Sequence, residues 1–192
     1  MAPADGNKLA LYPRIVVELG MGDGKLIESL ARNDSQSLHV GIEIDSAQCE
    51  QAVSRITEAN VLVLNGSFEQ IVEAEFPENS VDEFIAVLPD PTFIDPARHE
   101  TWRRFYELLL TKLKPGGKFR LVTELTDELL QPVSYDCYLI WMKWLEEAFT
   151  GLGFSLAGHF EGTPESYSSR CLDQFRGDPE RIRMATFDFK KL

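Results

Sequence analysis

The feature that most constrains the fold is a regular alternation of short apolar runs with longer amphipathic segments. The runs are rich in β-branched residues and bounded by Gly, Asn or Pro, which predicts strands at Ile15–Leu19, His39–Ile44, Val61–Leu64, Val81–Leu88 and Lys118–Thr123. The segments between them predict helices at Lys25–Asn33, Ser46–Ala59, Phe68–Ala74 and Glu100–Leu113. Such alternation is typical of an α/β fold, with a central, mostly parallel sheet and helices on both faces.

The second half of the chain continues this pattern. Ser134–Leu152 is predicted as a long helix, and Phe154–Phe160 and Arg183–Phe189 as two further strands. The sequence Lys114-Pro115-Gly116-Gly117 predicts the end of the fourth helix and a turn into the fifth strand. The 192 residues contain no repeat, linker or low-complexity segment, so we expect a single domain over residues 1–192.

Several classes of protein are disfavoured by composition. No run of 18 or more apolar residues is present, so we expect no membrane span. The first residues lack the basic start and apolar core of a secretory signal. The three cysteines, Cys49, Cys137 and Cys171, are too widely spaced for a metal knuckle or a disulfide framework. We therefore expect a cytoplasmic protein without a metal site, and the sequence leaves its oligomeric state open.

The net charge of −12 is unevenly distributed along the chain. Residues 1–97 hold 5 Lys and Arg against 17 Asp and Glu, whereas residues 98–192 hold 14 of each. A strongly acidic surface repels phosphate backbones. Any nucleic-acid surface is therefore expected in the second half of the chain.

The stretch VVELGMGDG, from Val16 to Gly24, predicts a small-molecule site. A strand that runs into a glycine-rich turn and then a helix forms a nucleotide-cofactor site in open α/β sheets. Gly20, Gly22 and Gly24 allow the backbone to approach a ligand closely. Glu43 ends the second strand, 23 residues after Gly20, where an acid accepts both hydroxyl hydrogens of a ribose. A tight turn without a ligand is the structural alternative.

The charges around this turn favour one cofactor over another. NAD would place a pyrophosphate beside Glu18 and Asp23, and like charges at close range repel. S-adenosylmethionine has no phosphate and carries a sulfonium cation and an ammonium group. The spacing Gly20-x-Gly22-x-Gly24 also differs from the Gly-x-Gly-x-x-Gly of dinucleotide sites. We therefore expect S-adenosylmethionine.

The order of these motifs resembles that of class I, Rossmann-like methyltransferases. VVELGMGDG, VGIEID, NVLVLNGSFEQI, VDEFIAVLPDP and LLTKLKPGGKFRLVT stand in the order and spacing of that family. The stretch VLPDPTFIDPARHETWRR is similar to the signature of tRNA (guanine-N7)-methyltransferases, in which Pro-Asp-Pro-Trp precedes a basic stretch. VTELTDE resembles the Thr-Asp that follows the fifth strand there, and TPESYSSR resembles the C-terminal motif.

The resemblance implies a role for each matching position. The three glycines would cradle the methionine end of the cofactor, Glu43 would hold the ribose, and Ser67 and Phe68 would border the adenine. Glu18 is expected to bind the cofactor as well, because its charge suits a cationic ligand. Asp90 would face the reacting centre as the catalytic residue. The tRNA-facing residues would be Arg98, His99, Arg103, Arg104, Thr126 and Asp127.

Departures from the family pattern keep other functions open. Thr92 and Phe93 stand where the family has Trp, and Ser67 replaces an Asp. The usual lysines before Arg98 are replaced by Ile94, Asp95, Pro96 and Ala97. The main hypothesis is S-adenosylmethionine-dependent methylation of tRNA at guanine N7. The alternatives are a methyltransferase for a small molecule or another non-tRNA acceptor, and a non-catalytic member that binds the cofactor. There are also structural alternatives for the substrate residues. Asp90 would be an acid of a turn, and Arg103 and Arg104 would lie on a solvated helix face.

Overall fold

One sheet contains all the strands that the structure describes. The computed structural model describes residues 6–126 and 131–192. Within them the strands are β1 Arg14–Leu19, β2 Ser37–Glu43, β3 Val61–Asn65, β4 Val81–Val87, β5 Leu113–Thr126, β6 Phe154–Glu161 and β7 Ile182–Lys191. The strand order is β3-β2-β1-β4-β5-β7-β6. β7 is antiparallel to both β5 and β6, and the other neighbouring strands are parallel.

Helices cover both faces of this sheet. They are α1 Gly6–Leu9, α2 Lys25–Asn33, α3 Ser46–Arg55, α4 Phe68–Glu75, α5 His99–Lys112, α6 Tyr135–Gly151 and α7 Arg170–Arg176. The larger core lies between the sheet and α4, α5 and α6, and it contains stacked and tilted rings from Trp102 through Phe149 to Phe189. α2, α3 and α7 pack on the opposite face. The predicted α/β fold with a mostly parallel sheet is confirmed.

The strand register determines where the functional residues meet. Leu19 at the end of β1 pairs with Ile42 of β2 on one side and with Ala86 of β4 on the other. The carboxyl ends of these three strands therefore lie side by side. In open α/β sheets the ligand-binding crevice lies outside these ends.

Some element boundaries differ from the prediction. The predicted helix Ser46–Ala59 ends at Arg55, because Ile56 is extended (φ −75°, ψ 123°). The predicted turn Lys114–Gly117 is part of β5, with a register shift opposite β4 and Gly116 at φ 74°. Helix α7 was not predicted. No helix in the described ranges is long and apolar enough to cross a membrane.

Candidate functional site

The glycine-rich turn after β1 has a left-handed backbone at each of its glycines. The φ angles of Gly20, Gly22 and Gly24 are 72°, 54° and 72°, and this region is costly for residues that carry a Cβ. The N–H groups of Gly20 and Met21 both donate to the carbonyl of Ile42, at 2.9 Å each. The turn is therefore fixed to the end of β2.

Met21 fixes the turn from the other direction. Its side chain is buried and lies against Gly41 of β2, where an added Cβ would be 2.3 Å from the Met21 sulfur. Gly24 approaches α3 closely, since its own added Cβ would be 3.1 Å from that of Ala52. Arg55 at the end of α3 donates to the carbonyl of Asp23 at 2.7 Å. The backbone of the turn is thus held by both β2 and α3.

Glu43 connects the turn to the start of α3. One carboxylate oxygen accepts the N–H of Gly22 at 2.8 Å, and the other accepts the N–H of Asp45 at 2.9 Å. The side chain of Asp45 in turn caps α3 by accepting from Ala47 at 2.8 Å. A carboxylate oxygen has two acceptor sites, so Glu43 can still accept from a ligand while it holds the turn.

Glu18 is the most unusual acid of the site. Its residue is only 3% exposed, and its Oε2 has no hydrogen-bond partner among the described residues. Burial raises the pKa of Glu18 well above its usual value, and the nearby charges of Asp23 and Glu43 raise it further. The N–H of Ile27 at the start of α2 acts in the opposite direction. A buried carboxylate beside other acids is complementary to a cation.

Glu18 and residues 20–23 of the turn line a cavity of about 760 Å³ beyond the ends of β1 and β4, whereas Gly24 and Glu43 are not among its lining residues. Cavities of this size hold small-molecule ligands. Its walls come from the glycine-rich turn with Glu18, from the start of α3, from the end of β4 and from α7; the residues outside the turn are Asp45, Ala47, Gln48, Gln51, Val87, Leu88, Ser169, Arg170, Cys171 and Gln174. The cavity thus joins the glycine-rich turn to a helix that the sequence did not predict.

The end of β4 carries a strained backbone followed by Asp90. Leu88 has φ 51°, which is rare for a residue with a branched side chain, and its N–H donates to Val122 at 2.8 Å. Asp90 is exposed and does not line the cavity. Its Oδ1 accepts from the hydroxyl and N–H of Thr92, at 2.6 and 2.9 Å, and these bonds with the charge of Arg98 lower the pKa of Asp90. Asp90 therefore caps a turn, and its Oδ2 has no hydrogen bond in the described part of the chain.

The residues expected near the adenine have different environments. Ser67 precedes α4 and makes no side-chain capping bond. Phe68 packs in an aromatic cluster, with its ring centroid 5.0 Å from that of Phe93 and 4.9 Å from that of Phe105. The sequence analysis missed Ile44, which follows Glu43 and is 73% exposed. Its position directly after Glu43, the acid predicted to bind a ribose, was the available signal.

The predicted basic patch is largely neutralised by its own acids. Arg103 forms an ion pair with Glu107 at 2.7 Å, and Arg98 lies 3.7 Å from Asp95. The ring of His99 packs edge-on against Trp102. Arg104 has no ion pair in the described ranges and lies in a groove that also contains Glu69 and Glu73. Arg103 and Arg104 are thus on a solvated helix face, and of the three arginines Arg104 alone lacks an ion pair within the described residues.

Thr126, the first residue of the predicted Thr126-Asp127 pair, is the last residue of β5. Thr126 is exposed, and Asp127 lies outside the described residues. The sequence analysis missed Glu124, whose Oε2 is buried without a partner among the described residues. Burial raises the pKa of Glu124 to about 7. Glu18 of β1 pairs with Ile85 of β4, which pairs with Arg120 of β5, so these three side chains lie on one face of the sheet. Glu124 is four residues beyond Arg120 on the same strand, and side chains alternate between faces, so Glu124 lies on the face of Glu18.

The strand order, the turn and the acids at the ends of β1 and β2 define a class I methyltransferase fold. The chain matches the family model described as "Putative methyltransferase" over residues 13–135. It belongs to this methyltransferase family, and the family predicted from the sequence is confirmed. Solved structures agree on the fold: the chain superposes on the 16S rRNA methyltransferase KamB with a TM-score of 0.74 and 18% identity, over 100% of this chain and 95% of that one.

Other relatives are similar over parts of their length. The chain is 33% identical over 131 residues to tRNA (guanine-N(7)-)-methyltransferase of Yersinia pestis (strain Pestoides F), which covers 64% of this chain and 54% of that protein. It is 29% identical over 119 residues to the protein of the same name from Legionella pneumophila (strain Lens), covering 58% and 52%. The chain spans about half the length of the curated relatives it matches. A mutant of the 16S rRNA (adenine(1408)-N(1))-methyltransferase of Catenulisporales acidiphilia, solved with cosubstrate SAM, superposes with a TM-score of 0.72 and 16% identity over 97% and 89%.

Proposed function

We propose that this protein is an S-adenosylmethionine-dependent methyltransferase that methylates guanine N7 in tRNA. The observation that carries the cofactor assignment is Glu18, a buried carboxylate with an unpartnered oxygen in the wall of the cavity. Its neighbours Asp23 and Glu43 add negative charge instead of balancing it. A cationic ligand relieves this repulsion, and a dinucleotide phosphate increases it.

The remaining groups suit the other parts of the same cofactor. S-adenosylmethionine supplies a methyl group on a positively charged sulfur. Glu43 accepts the ribose hydroxyls while it continues to hold Gly22 and Asp45. Ile44 provides an exposed apolar surface against the adenine, and Ser67 borders it from the start of α4. Phe68 supports this border from the aromatic cluster behind it.

The acceptor chemistry requires alignment more than proton transfer. Guanine N7 has a free lone pair, so its methylation needs no general base, and orientation of the ring is the main contribution of the protein. We assign Asp90 to the N1–H and N2–H donors of guanine, because its Oδ2 is free and its lowered pKa keeps it ionised. Glu124 is a second candidate for the ring, since its unpartnered oxygen lies on the Glu18 face.

The choice of tRNA rests on the similarity to tRNA (guanine-N(7)-)-methyltransferases at 33% identity. Arg98, His99, Arg103 and Arg104 would lie near the RNA, together with Thr126 at the end of β5 and with Asp127, which lies outside the described residues. A second candidate, a small-molecule or other non-tRNA acceptor, is favoured by one observation: Arg98 and Arg103 are already paired with acids of their own chain. The two candidates share the cofactor site and differ in the acceptor.

The test is methyl transfer from labelled S-adenosylmethionine to defined acceptors. An unmodified tRNA transcript should become labelled, and digestion should yield 7-methylguanosine by mass spectrometry. The matched control is the same transcript made with 7-deazaguanosine, which has no N7 and should stay unlabelled. Asp90→Asn, which keeps an oxygen for Thr92, should reduce the rate without weakening cofactor binding.

Two outcomes would contradict the tRNA assignment. Label that appears only in a small-molecule extract would favour the second candidate. Cofactor binding without transfer to RNA or extract would favour a non-catalytic member. We further infer that residues 1–192 form one methyltransferase domain, because the described strands share one sheet. We also infer a cytoplasmic location, in keeping with the free thiols of Cys49, Cys137 and Cys171.

A further inference from the structure

Helix α7 places a positive side chain in the wall of the acidic cavity. Arg170 and Ser169 line the cavity together with Glu18, Asp23 and Asp45. Arg170 is exposed, and within residues 6–126 and 131–192 its side chain forms no ion pair or hydrogen bond. It is the only Lys or Arg among the lining residues that the described structure assigns to this cavity. The cavity therefore contains both signs of charge.

The helix that carries Arg170 is firmly held. Ser169 caps it by accepting the N–H of Leu172 at 3.2 Å, and the Leu172 side chain is fully buried. Arg176 at its end donates to the carbonyls of Pro164 and Tyr167, both at 2.7 Å, and to the hydroxyl of Thr163 at 2.8 Å. These bonds attach the preceding segment to the helix. The backbone position of Arg170 is thus fixed before any ligand binds.

The arrangement of charges matches a particular chemical group. Glu18 presents a buried carboxylate without a partner, which is complementary to an ammonium group. A guanidinium presents a planar set of N–H donors that matches a carboxylate. An α-amino acid carries an ammonium and a carboxylate on one carbon atom. A cavity with Glu18 on one element and Arg170 on another is complementary to that zwitterion.

We propose that Arg170 binds the carboxylate of the methionine end of the cofactor, opposite the ammonium group held by Glu18. The inference rests on the proposed use of S-adenosylmethionine and adds a specificity residue to that site. For ligands that keep the ammonium group but lack the carboxylate, the binding affinity should then not depend on which residue occupies position 170. The same residue should discriminate between amino-acid and decarboxylated forms of the cofactor.

The experiment compares two ligands by isothermal titration calorimetry of the purified protein. Arg170→Gln should bind S-adenosylmethionine about tenfold more weakly, as expected for loss of an exposed hydrogen-bonded charge. Its affinity for decarboxylated S-adenosylmethionine should change by less than about twofold, because the missing contact involves only the carboxylate. Arg170→Lys, which keeps the charge, should recover part of the affinity.

Controls separate this inference from the proposed function. Arg181→Gln removes an exposed arginine that pairs with Asp178 and does not line the cavity, so both affinities should stay at the wild-type value. If Arg170→Gln binds S-adenosylmethionine like the wild type, the inference is wrong and the cofactor assignment stands. If it weakens both ligands equally, the carboxylate contact is wrong. If the wild-type protein binds neither ligand, both proposals fall.

Discussion

Replacing Glu18 by Gln should make the ligand-free protein more stable and the cofactor site weaker. The substitution keeps the shape of the side chain and its acceptor for the N–H of Ile27, while it removes the acid whose ionised form burial disfavours. An unsatisfied buried polar group costs about 1–3 kcal/mol, and a charged one costs more. We therefore expect the free energy of unfolding at pH 7 to rise by about 1–3 kcal/mol. For a chain of this length each kcal/mol corresponds to about 2–4 °C in Tm.

The increase in the free energy of unfolding caused by Glu18→Gln should depend on pH in a defined direction. The pKa of Glu18 is raised in the folded state, so the folded protein retains a proton that the unfolded chain releases. Wild-type stability from this group is therefore present below the unfolded pKa, near 4.5, and is lost as the pH rises toward the folded pKa. The stabilising effect of Gln should accordingly be absent below that unfolded pKa and reach its full size above the folded pKa.

Thermal denaturation of ligand-free protein from pH 4 to pH 8 gives the first readout, and cofactor titration gives the second. Glu18→Gln should bind S-adenosylmethionine about tenfold to a hundredfold more weakly, since a charged partner is lost. Glu180→Gln, an exposed change outside the cavity, is the control. A variant that is less stable than the wild type at pH 7, or that binds the cofactor equally well, would refute the role given to Glu18.

Three other substitutions test separate parts of the site. Glu43→Ala should weaken cofactor binding by about 1.5–3 kcal/mol and speed hydrogen exchange at Gly22; calorimetry with unchanged affinity would exclude it as the ribose ligand. Gly41→Ala should destabilise the protein by roughly 1–3 kcal/mol because its Cβ meets the Met21 side chain, and thermal denaturation should show recovery when Met21→Ala is added. Arg104→Ala should flatten the salt dependence of RNA binding by about 0.7–0.9 in log–log slope; an unchanged slope would remove α5 from the RNA surface.

The central part of the fold could be predicted because its residues are buried on both faces. β1 and β2 are buried along almost their whole length and β4 is buried over residues 84–86, and the helices between them have buried apolar residues. Helix α7 was missed because only seven residues form it and its stability comes from Leu172 and Arg176. The Lys114–Gly117 segment was misassigned, because Pro and Gly also occur at irregular strand pairings.

The turn and its acids could be predicted from spacing, whereas side-chain partners could not. Gly20, Gly22 and Gly24 follow a strand at the expected interval, and the need for positive φ is visible in the sequence. The ion pair of Arg103 with Glu107 could have been predicted from the sequence, since the two residues are four positions apart on one helix. The buried, unpartnered state of Glu124 depends on contacts between distant segments and is not visible in the order of residues.

The position of β7 has a consequence for how the protein is made. β6 precedes β7 in the chain but joins the sheet only through it, since β7 lies between β5 and β6. During synthesis, domains emerge from their N-terminal side first. The sheet can then form from its first five strands, β3-β2-β1-β4-β5, before β6 and α7 can pack against it. A nascent chain would therefore acquire the glycine-rich turn early and the cavity wall that holds Arg170 only after residues 182–191 have been synthesised.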